Sequence, residues 1–93
     1  MKKIFNNDEE NYDYENDPNF IGVYSIYDTK GDRFDTPFHC MNNLFALRHY
    51  EMQITKEGSM LQKYADDFQL FRTGWFNLTT GLFEYDLEQL YIK

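Results

Sequence analysis

The feature that most constrains this chain is a pair of aromatic runs in residues 66–86, "DDFQLFRTGWFNLTTGLFEYD". A short polar segment that ends in Gly separates the two runs. Alternating apolar residues on both sides of such a four-residue loop are typical of a β-hairpin. We therefore predict strands at 68–77 and 82–87, joined by residues 78–81.

The predicted hairpin register places Phe76 opposite Phe83 and Gly74 opposite Tyr85. Because successive side chains of a strand point to opposite faces, the aromatic residues divide between two faces. The face that we expect to pack against a helix carries Leu70, Gly74, Phe76, Phe83 and Tyr85. The other face carries Phe71, Thr73 and Trp75, together with Glu84 and Asp86.

Two further elements precede the hairpin. Residues 20–27 are rich in Ile, Val and Tyr, which is typical of a strand. Residues 42–55 show apolar residues at helical spacing after Asn42, a favoured N-cap, and the helix is expected to end at residues 56–58. We predict an α+β fold, in which a small antiparallel sheet of one strand plus the C-terminal hairpin packs on one main helix. The residues expected in its core are Leu47, Leu70, Phe76 and Phe83.

The negative charge is concentrated near the start of the chain. Residues 1–19 hold two lysines against six acidic residues, which gives them a net charge of −4 out of −7 for the 93 residues. Their low apolar content predicts a mobile acidic arm, either a solvated tail or an arm that mimics DNA charge or docks on a basic partner. Residues 20–93 are expected to form one folded domain. The acidic composition argues against strong electrostatic binding of phosphates, but it does not exclude a local strip of basic residues.

The sequence carries no motif of an enzyme active site or of a metal centre. His39, Cys40 and His49 lack the paired spacing of a zinc site, and the chain has no phosphate-binding Gly-rich loop and no nucleophile elbow. We therefore expect a non-enzymatic protein without a cofactor or metal. One cysteine, no signal peptide and no apolar run long enough to cross a membrane predict a soluble intracellular protein.

The hairpin face that is turned away from the predicted helix is the candidate binding site. Proteins that bind single-stranded nucleic acid stack bases on exposed aromatic rings and guide the backbone with Lys and Arg. The stacking candidates are Phe71 and Trp75, with Tyr27 on the neighbouring strand. The candidates for phosphate contacts are Lys30, Arg33, Arg48 and Arg72, although strand alternation places Arg72 on the helix side unless it lies at the sheet edge. A face buried by a second copy of the chain, in a homodimer or higher oligomer, would use the same aromatic residues, so both interpretations stay open.

Three segments in a fixed order carry a resemblance to a known family. The first holds Ile26, Asp28 and Lys30, followed by Pro37-Phe38. The second holds Ala46, Arg48 and Tyr50 on the predicted helix. The third holds Asp67-Phe68, Leu70-Phe71, Gly74, Phe76, Thr80-Gly81 and Phe83. Over about residues 23–84, this set resembles the small nonstructural protein of the gokushoviruses, which are phages of the microvirus group with small circular single-stranded DNA genomes.

The resemblance implies a viral nonstructural protein that acts on the phage genome in the cytoplasm of a bacterial host. Such a protein would bind single-stranded DNA and support replication, or the switch from duplex copying to single-strand synthesis. The alternative is a dimeric protein-interaction module that regulates the replication or packaging machinery of the phage, with phage or host replication proteins as partners.

Overall fold

The computed structural model of the chain describes residues 12–92, which form an antiparallel sheet with a long helix against it. Its strands are β1 (Phe20–Asp28), β2 (Arg33–Phe34), β3 (Phe38–Cys40), β4 (Phe68–Asn77) and β5 (Phe83–Ile92). Its helices are α1 (Asn43–Thr55) and α2 (Met60–Lys63), and 3-10 turns cover Tyr14–Asn16 and Ala65–Asp67.

Strand β1 lies in the interior of the sheet. The strand order is β2-β1-β4-β5, and every pairing is antiparallel. Strand β4 pairs along one edge of β1, while β2 and β3 share the other edge, where they pair with residues 27–28 and 22–24. Within the described part of the chain, β5 is therefore an outer strand of the sheet.

The predicted α+β fold, with a sheet of one strand plus a hairpin, is wrong. The described chain is mostly sheet, with five strands in one curled antiparallel sheet and a single long helix. Residues 29–38, whose turn residues predict a loop, instead supply β2 and the start of β3. Strands of two or three residues are too short to show alternation, and they form here because the outer edge of β1 offers unpaired backbone groups. Strand β5 also continues to Ile92, five residues beyond the predicted end of the hairpin.

Helix α1 follows the sequence as predicted. The side chain of Asn42 accepts a hydrogen bond from the backbone N–H of Phe45 at 3.1 Å, so Asn42 is the N-cap. Leu47 is partly buried beside the core. The buried residues of the helix are spaced by four, as one face of a helix requires: Ala46, Tyr50 and Ile54.

The core lies between α1 and one face of the sheet, which we call the helix face. Tyr24 and Leu70 of the sheet are fully buried there against Ala46 and Tyr50, so the predicted burial of Leu70 is confirmed. Burial raises the pKa of Tyr24. Its hydroxyl therefore stays protonated, and it donates a hydrogen bond to Asn43 Oδ1 at 2.9 Å.

A β-bulge in β4 decides which aromatic residues are buried. Val23 of β1 pairs with Gly74 and Tyr24 pairs with Arg72, so Thr73 has no partner in β1. One extra residue shifts the alternation, and the side chains that follow it point to the opposite face from the one predicted. The hydroxyl of Thr73 donates a hydrogen bond to the carbonyl oxygen of Val23 at 3.1 Å, which holds the bulge.

The bulge reverses the predicted faces of the second half of β4. Trp75 lies on the helix face, whereas Phe76 and its partner Phe83 lie on the opposite face. Phe76 and Phe83 are 37% and 46% exposed, so their predicted place in the core is wrong. The predicted register itself is confirmed, since Phe76 pairs with Phe83 and Gly74 with Tyr85.

Candidate functional site

On the face of the sheet opposite α1, which we call the open face, the described strand residues include no Lys, Arg, Asp or Glu side chain, and the nearby Asp32, which bonds Tyr27, belongs to a turn. Both described α-helices pack on the helix face. Helix α1 contacts it through its buried residues, and α2 contacts it through Leu61. Pairing and alternation assign the following side chains to the open face: Ile21, Val23, Ser25, Tyr27, Phe34, His39, Gln69, Phe71, Phe76, Phe83, Tyr85, Leu87 and Gln89. The charges of β4 and β5 lie on the other face: Arg72, Glu84, Asp86 and Glu88. Because 27% of the chain is charged, this uncharged face is a distinct surface.

Three rings form an aromatic cluster at one end of the open face. The ring centroids of Tyr27 and Phe34 are 4.8 Å apart, and those of Phe34 and Phe71 are 5.4 Å apart. Phe34 remains 42% exposed. The hydroxyl of Tyr27 donates a hydrogen bond to Asp32, which raises the pKa of Tyr27 above its ordinary value and anchors its ring. The aromatic cluster can therefore present rings of restricted orientation on which a planar group could stack.

An apolar groove extends from the open face towards β3. It has a volume of about 360 Å³. The residues that line it are Ile21, Val23, Pro37, Phe38, His39, Phe76 and Leu78. Since no acidic or basic side chain apart from His39 lines this groove, its chemistry suits an apolar group.

Arg72 lies on the helix face, as strand alternation predicts, and its charge is already paired. Its side chain bonds Asp86 at 3.0 Å and Glu88 at 2.8 Å, and the residue is only 5% exposed. Its guanidinium also lies 4.9 Å from the centroid of the Trp75 ring. A cation that is buried between two carboxylates cannot contact a phosphate, so the role predicted for Arg72 does not fit its surroundings.

Trp75 is covered by a segment that precedes the sheet, residues 12–17, which we call the N-terminal strap. The ring of Tyr14 stacks on the indole with centroids 5.8 Å apart and planes inclined by 16°. One residue further, Glu15 accepts a hydrogen bond from the backbone N–H of Asn43, at the start of α1, at 3.0 Å. Trp75 is 3% exposed as a result. The prediction that Phe71 and Trp75 point the same way is wrong, because the bulge separates them.

The structure does not gather the predicted basic residues into a strip. Lys30 and Arg33 are exposed in and after the turn that joins β1 to β2, near the aromatic cluster in sequence. Arg33 pairs with Asp28, which places its side chain on the helix-face side of β2. Arg48 is exposed on α1, on the opposite side of the sheet from Phe71. Of the seven predicted site residues, the structure brings Tyr27 and Phe71 together.

Sequence reasoning missed Phe34 and assigned Phe76, Phe83 and Tyr85 to the wrong environment. Phe34 could have been identified because it is an aromatic residue within an otherwise polar segment. Such a residue is typical of a position that is buried or takes part in binding. Exposure of the other three depends on the bulge at Thr73, which has no distinct sequence signature.

Residues 12–92 contain neither a group of possible metal ligands nor a helix suited to crossing a membrane. No three His, Cys, Asp or Glu residues in this part of the chain are grouped so that they could hold a metal ion. Burial raises the pKa of the Cys40 thiol, which favours the unreactive protonated form. None of the helices in the same residues is long and apolar enough to span a bilayer.

The chain matches the family described as Phage ORF5 protein over residues 21–92. The chain belongs to the Phage ORF5 family. It is therefore a phage protein, and the family match spans β1 from its second residue, the other four strands and α1. No curated protein and no solved structure gives a significant match. The matched region contains the whole open face, whereas the N-terminal strap lies before it.

Proposed function

We propose that this Phage ORF5 family member is a gokushovirus nonstructural protein that binds single-stranded DNA without catalysing a reaction. In the cytoplasm of the bacterial host, it would support genome replication or the switch to single-strand synthesis. Family membership supports a phage role, and the resemblance to gokushoviruses supports a single-stranded DNA target. The observation that carries the proposal is the aromatic cluster of Tyr27, Phe34 and Phe71, on a sheet face that no described helix covers.

Base stacking supplies most of the binding in this proposal. Every base has a flat face, so rings on an uncharged sheet can hold single strands with little sequence preference. Lys30 and Arg33 are the exposed cations nearest to the aromatic cluster in sequence, and the whole chain has a net charge of −7. Two phosphate contacts predict a slope of about −1.4 for the logarithm of the association constant against the logarithm of salt concentration, from about 0.7 per contact.

The proposal is tested by fluorescence anisotropy with labelled single-stranded and duplex oligonucleotides of the same sequence, each titrated at two salt concentrations. We expect saturable binding of the single strand, weak binding of the duplex and a shallow salt slope. A duplex that binds as tightly as the single strand would contradict the proposal, because paired bases cannot stack on the open face. A steep salt slope would contradict the proposed balance, because it would require phosphate contacts from more residues than Lys30 and Arg33.

A second candidate function is self-association of the chain through the open face, as a dimeric module that regulates phage replication or packaging. The observation that favours it is the absence of Lys, Arg, Asp and Glu from this face. Two copies that each carry −7 repel one another, and this face is where they can approach with the fewest like charges in contact. Its exposed apolar residues include Phe83 at 46%, Tyr85 at 69% and Leu87 at 43%.

The two candidates respond to salt in opposite directions. Salt screens the repulsion between two acidic copies and so strengthens their association. Salt weakens a complex with DNA, because counterions compete for the phosphates. Sedimentation and anisotropy measured on the same samples therefore distinguish the two functions.

A further inference from the structure

Trp75 has an unusual environment for a residue of the helix face. The guanidinium of Arg72 lies 4.9 Å from the centroid of its ring, and the centroid of the Tyr14 ring lies at 5.8 Å. The ring of Tyr14 is nearly parallel to the indole, at 16°. Tyr14 thus occupies the position that a stacked nucleobase would take on Trp75.

The N-terminal strap is attached to the rest of the protein through residues that are exposed or only partly buried. Its 3-10 turn contains no buried residue. Several of its hydrogen bonds are internal, including those from Tyr12 to Asp17 and from Asn16 to Asp13. Its contacts outside the strap include the Tyr14 stack on Trp75, the edge contacts of the Tyr12 and Tyr14 rings with Phe20, and the hydrogen bond that Glu15 accepts from Asn43.

The core does not depend on the strap. Tyr24, Tyr50 and Leu70 are fully buried between α1 and the sheet, and none of them belongs to the strap or to the residues that join it to β1. A segment with no buried residue can separate from the sheet while such a core stays intact. Release of the strap would remove the ring of Tyr14 from Trp75, while the guanidinium of Arg72 would remain beside the indole.

We propose that the N-terminal strap is an autoinhibitory cover over a nucleobase site on Trp75. Tyr14 fills the stacking position in place of a base, and Glu15 fastens the strap to the start of α1. The strap also carries acidic Asp13 and Asp17, which add to the negative charge of Glu84, Asp86 and Glu88 on the same face, so release of the strap lowers the repulsion of an approaching nucleic acid. This inference rests on the proposed function for the identity of the ligand, but its site is separate from the aromatic cluster and lies on the opposite face of the sheet.

The proposal is tested with the double variant Tyr14→Ala/Glu15→Gln of the full chain. Trp75 is the single tryptophan of the chain, so its emission reports this site alone. The matched control is Tyr64→Ala/Glu57→Gln, which removes an exposed ring and a negative charge elsewhere. Circular dichroism establishes that both variants are folded.

The first measurement is quenching of Trp75 by acrylamide in the absence of DNA. We expect several-fold stronger quenching in the strap variant than in the wild-type protein or the control. The second is a titration with oligothymidylate, followed by Trp75 emission. If the strap is open in about one molecule in ten, the strap variant should bind at Trp75 about tenfold more tightly than the wild-type protein.

Two results would overturn the inference. If Trp75 stays protected from acrylamide in the folded strap variant, the strap is not its cover. If Trp75 becomes accessible but oligothymidylate does not change its emission, the uncovered ring is not a base site. The proposed function is decided independently by anisotropy titration of a Phe34→Ala variant with a single-stranded oligonucleotide, because Phe34 lies on the open face. If the double variant does not fold, Glu15→Ala alone, which leaves no acceptor for the N–H of Asn43, must still increase acrylamide quenching, and failure to do so counts equally against the strap.

Discussion

Phe34 and Phe45 offer a matched pair for testing the open face, because they are 42% and 44% exposed and lie on opposite sides of the sheet. If bases stack on the aromatic cluster, Phe34→Ala should weaken binding of a single-stranded oligonucleotide by about 1–3 kcal/mol. Phe45→Ala, on α1, should leave the affinity unchanged. Anisotropy titrations of both variants under one set of conditions measure the two affinities. Equal losses of affinity would contradict stacking on the aromatic cluster, because they would show that the position of the ring does not matter.

Arg72 and Arg48 form a second pair at the residue scale, one buried and one exposed. Arg72→Leu should lower the free energy of unfolding by about 1–3 kcal/mol, since it removes charge-assisted hydrogen bonds to Asp86 and Glu88. The two carboxylates are themselves partly exposed, which limits the cost of leaving them unpaired. Arg48→Leu should change stability by less than about 0.5 kcal/mol. Urea denaturation measures both, and an unchanged midpoint for Arg72→Leu would contradict the pairing described for it.

At the scale of elements, the bulge in β4 is the feature that positions both candidate sites. Gly74 follows the bulge, and a Cβ there would overlap the carbonyl oxygen of Glu84 and the ring of Phe83. Gly74→Ala should therefore destabilise the hairpin by about 1–3 kcal/mol, the usual cost of overpacking. Gly58→Asn is the control, because nothing lies within 4 Å of an added Cβ there and Asn tolerates the positive φ of this position. Thermal denaturation that found equal stability for Gly74→Ala and the wild-type protein would refute this close contact.

The elements also show what the sequence can and cannot predict. Helix α1 and the hairpin were predictable because a capping residue, helical spacing and aromatic alternation each extend over many residues. Strands β2 and β3 were not, since two or three residues carry no period, and their pairing depends on the free edge of β1. The bulge at Thr73 was not predictable either, because one extra residue in a strand leaves the composition unchanged. That single residue moved Trp75 out of the predicted site and brought Phe76 and Phe83 to the surface.

At the scale of the whole molecule, the charged side chains of the sheet lie away from the open face, and the protein as a whole is acidic. If two copies associate through the open face, Tyr85→Lys should weaken the association, because it places a charge on the interface. Tyr64→Lys, at another exposed tyrosine, should not weaken it, although both substitutions reduce the net charge equally. Sedimentation equilibrium at low and high salt tests this. A protein that stays monomeric at high concentration in both salts would exclude self-association as the function of this face.

The most direct test of the central claim is to map single-stranded DNA onto the sheet by nuclear magnetic resonance. Amide signals of the ¹⁵N-labelled protein would be followed while oligothymidylate is added. We expect the largest shifts at Tyr27, Phe34 and Phe71, with the amides of α1 nearly unchanged. Shifts confined to α1, or no shifts at saturating oligonucleotide, would contradict the claim that the open face binds single-stranded DNA.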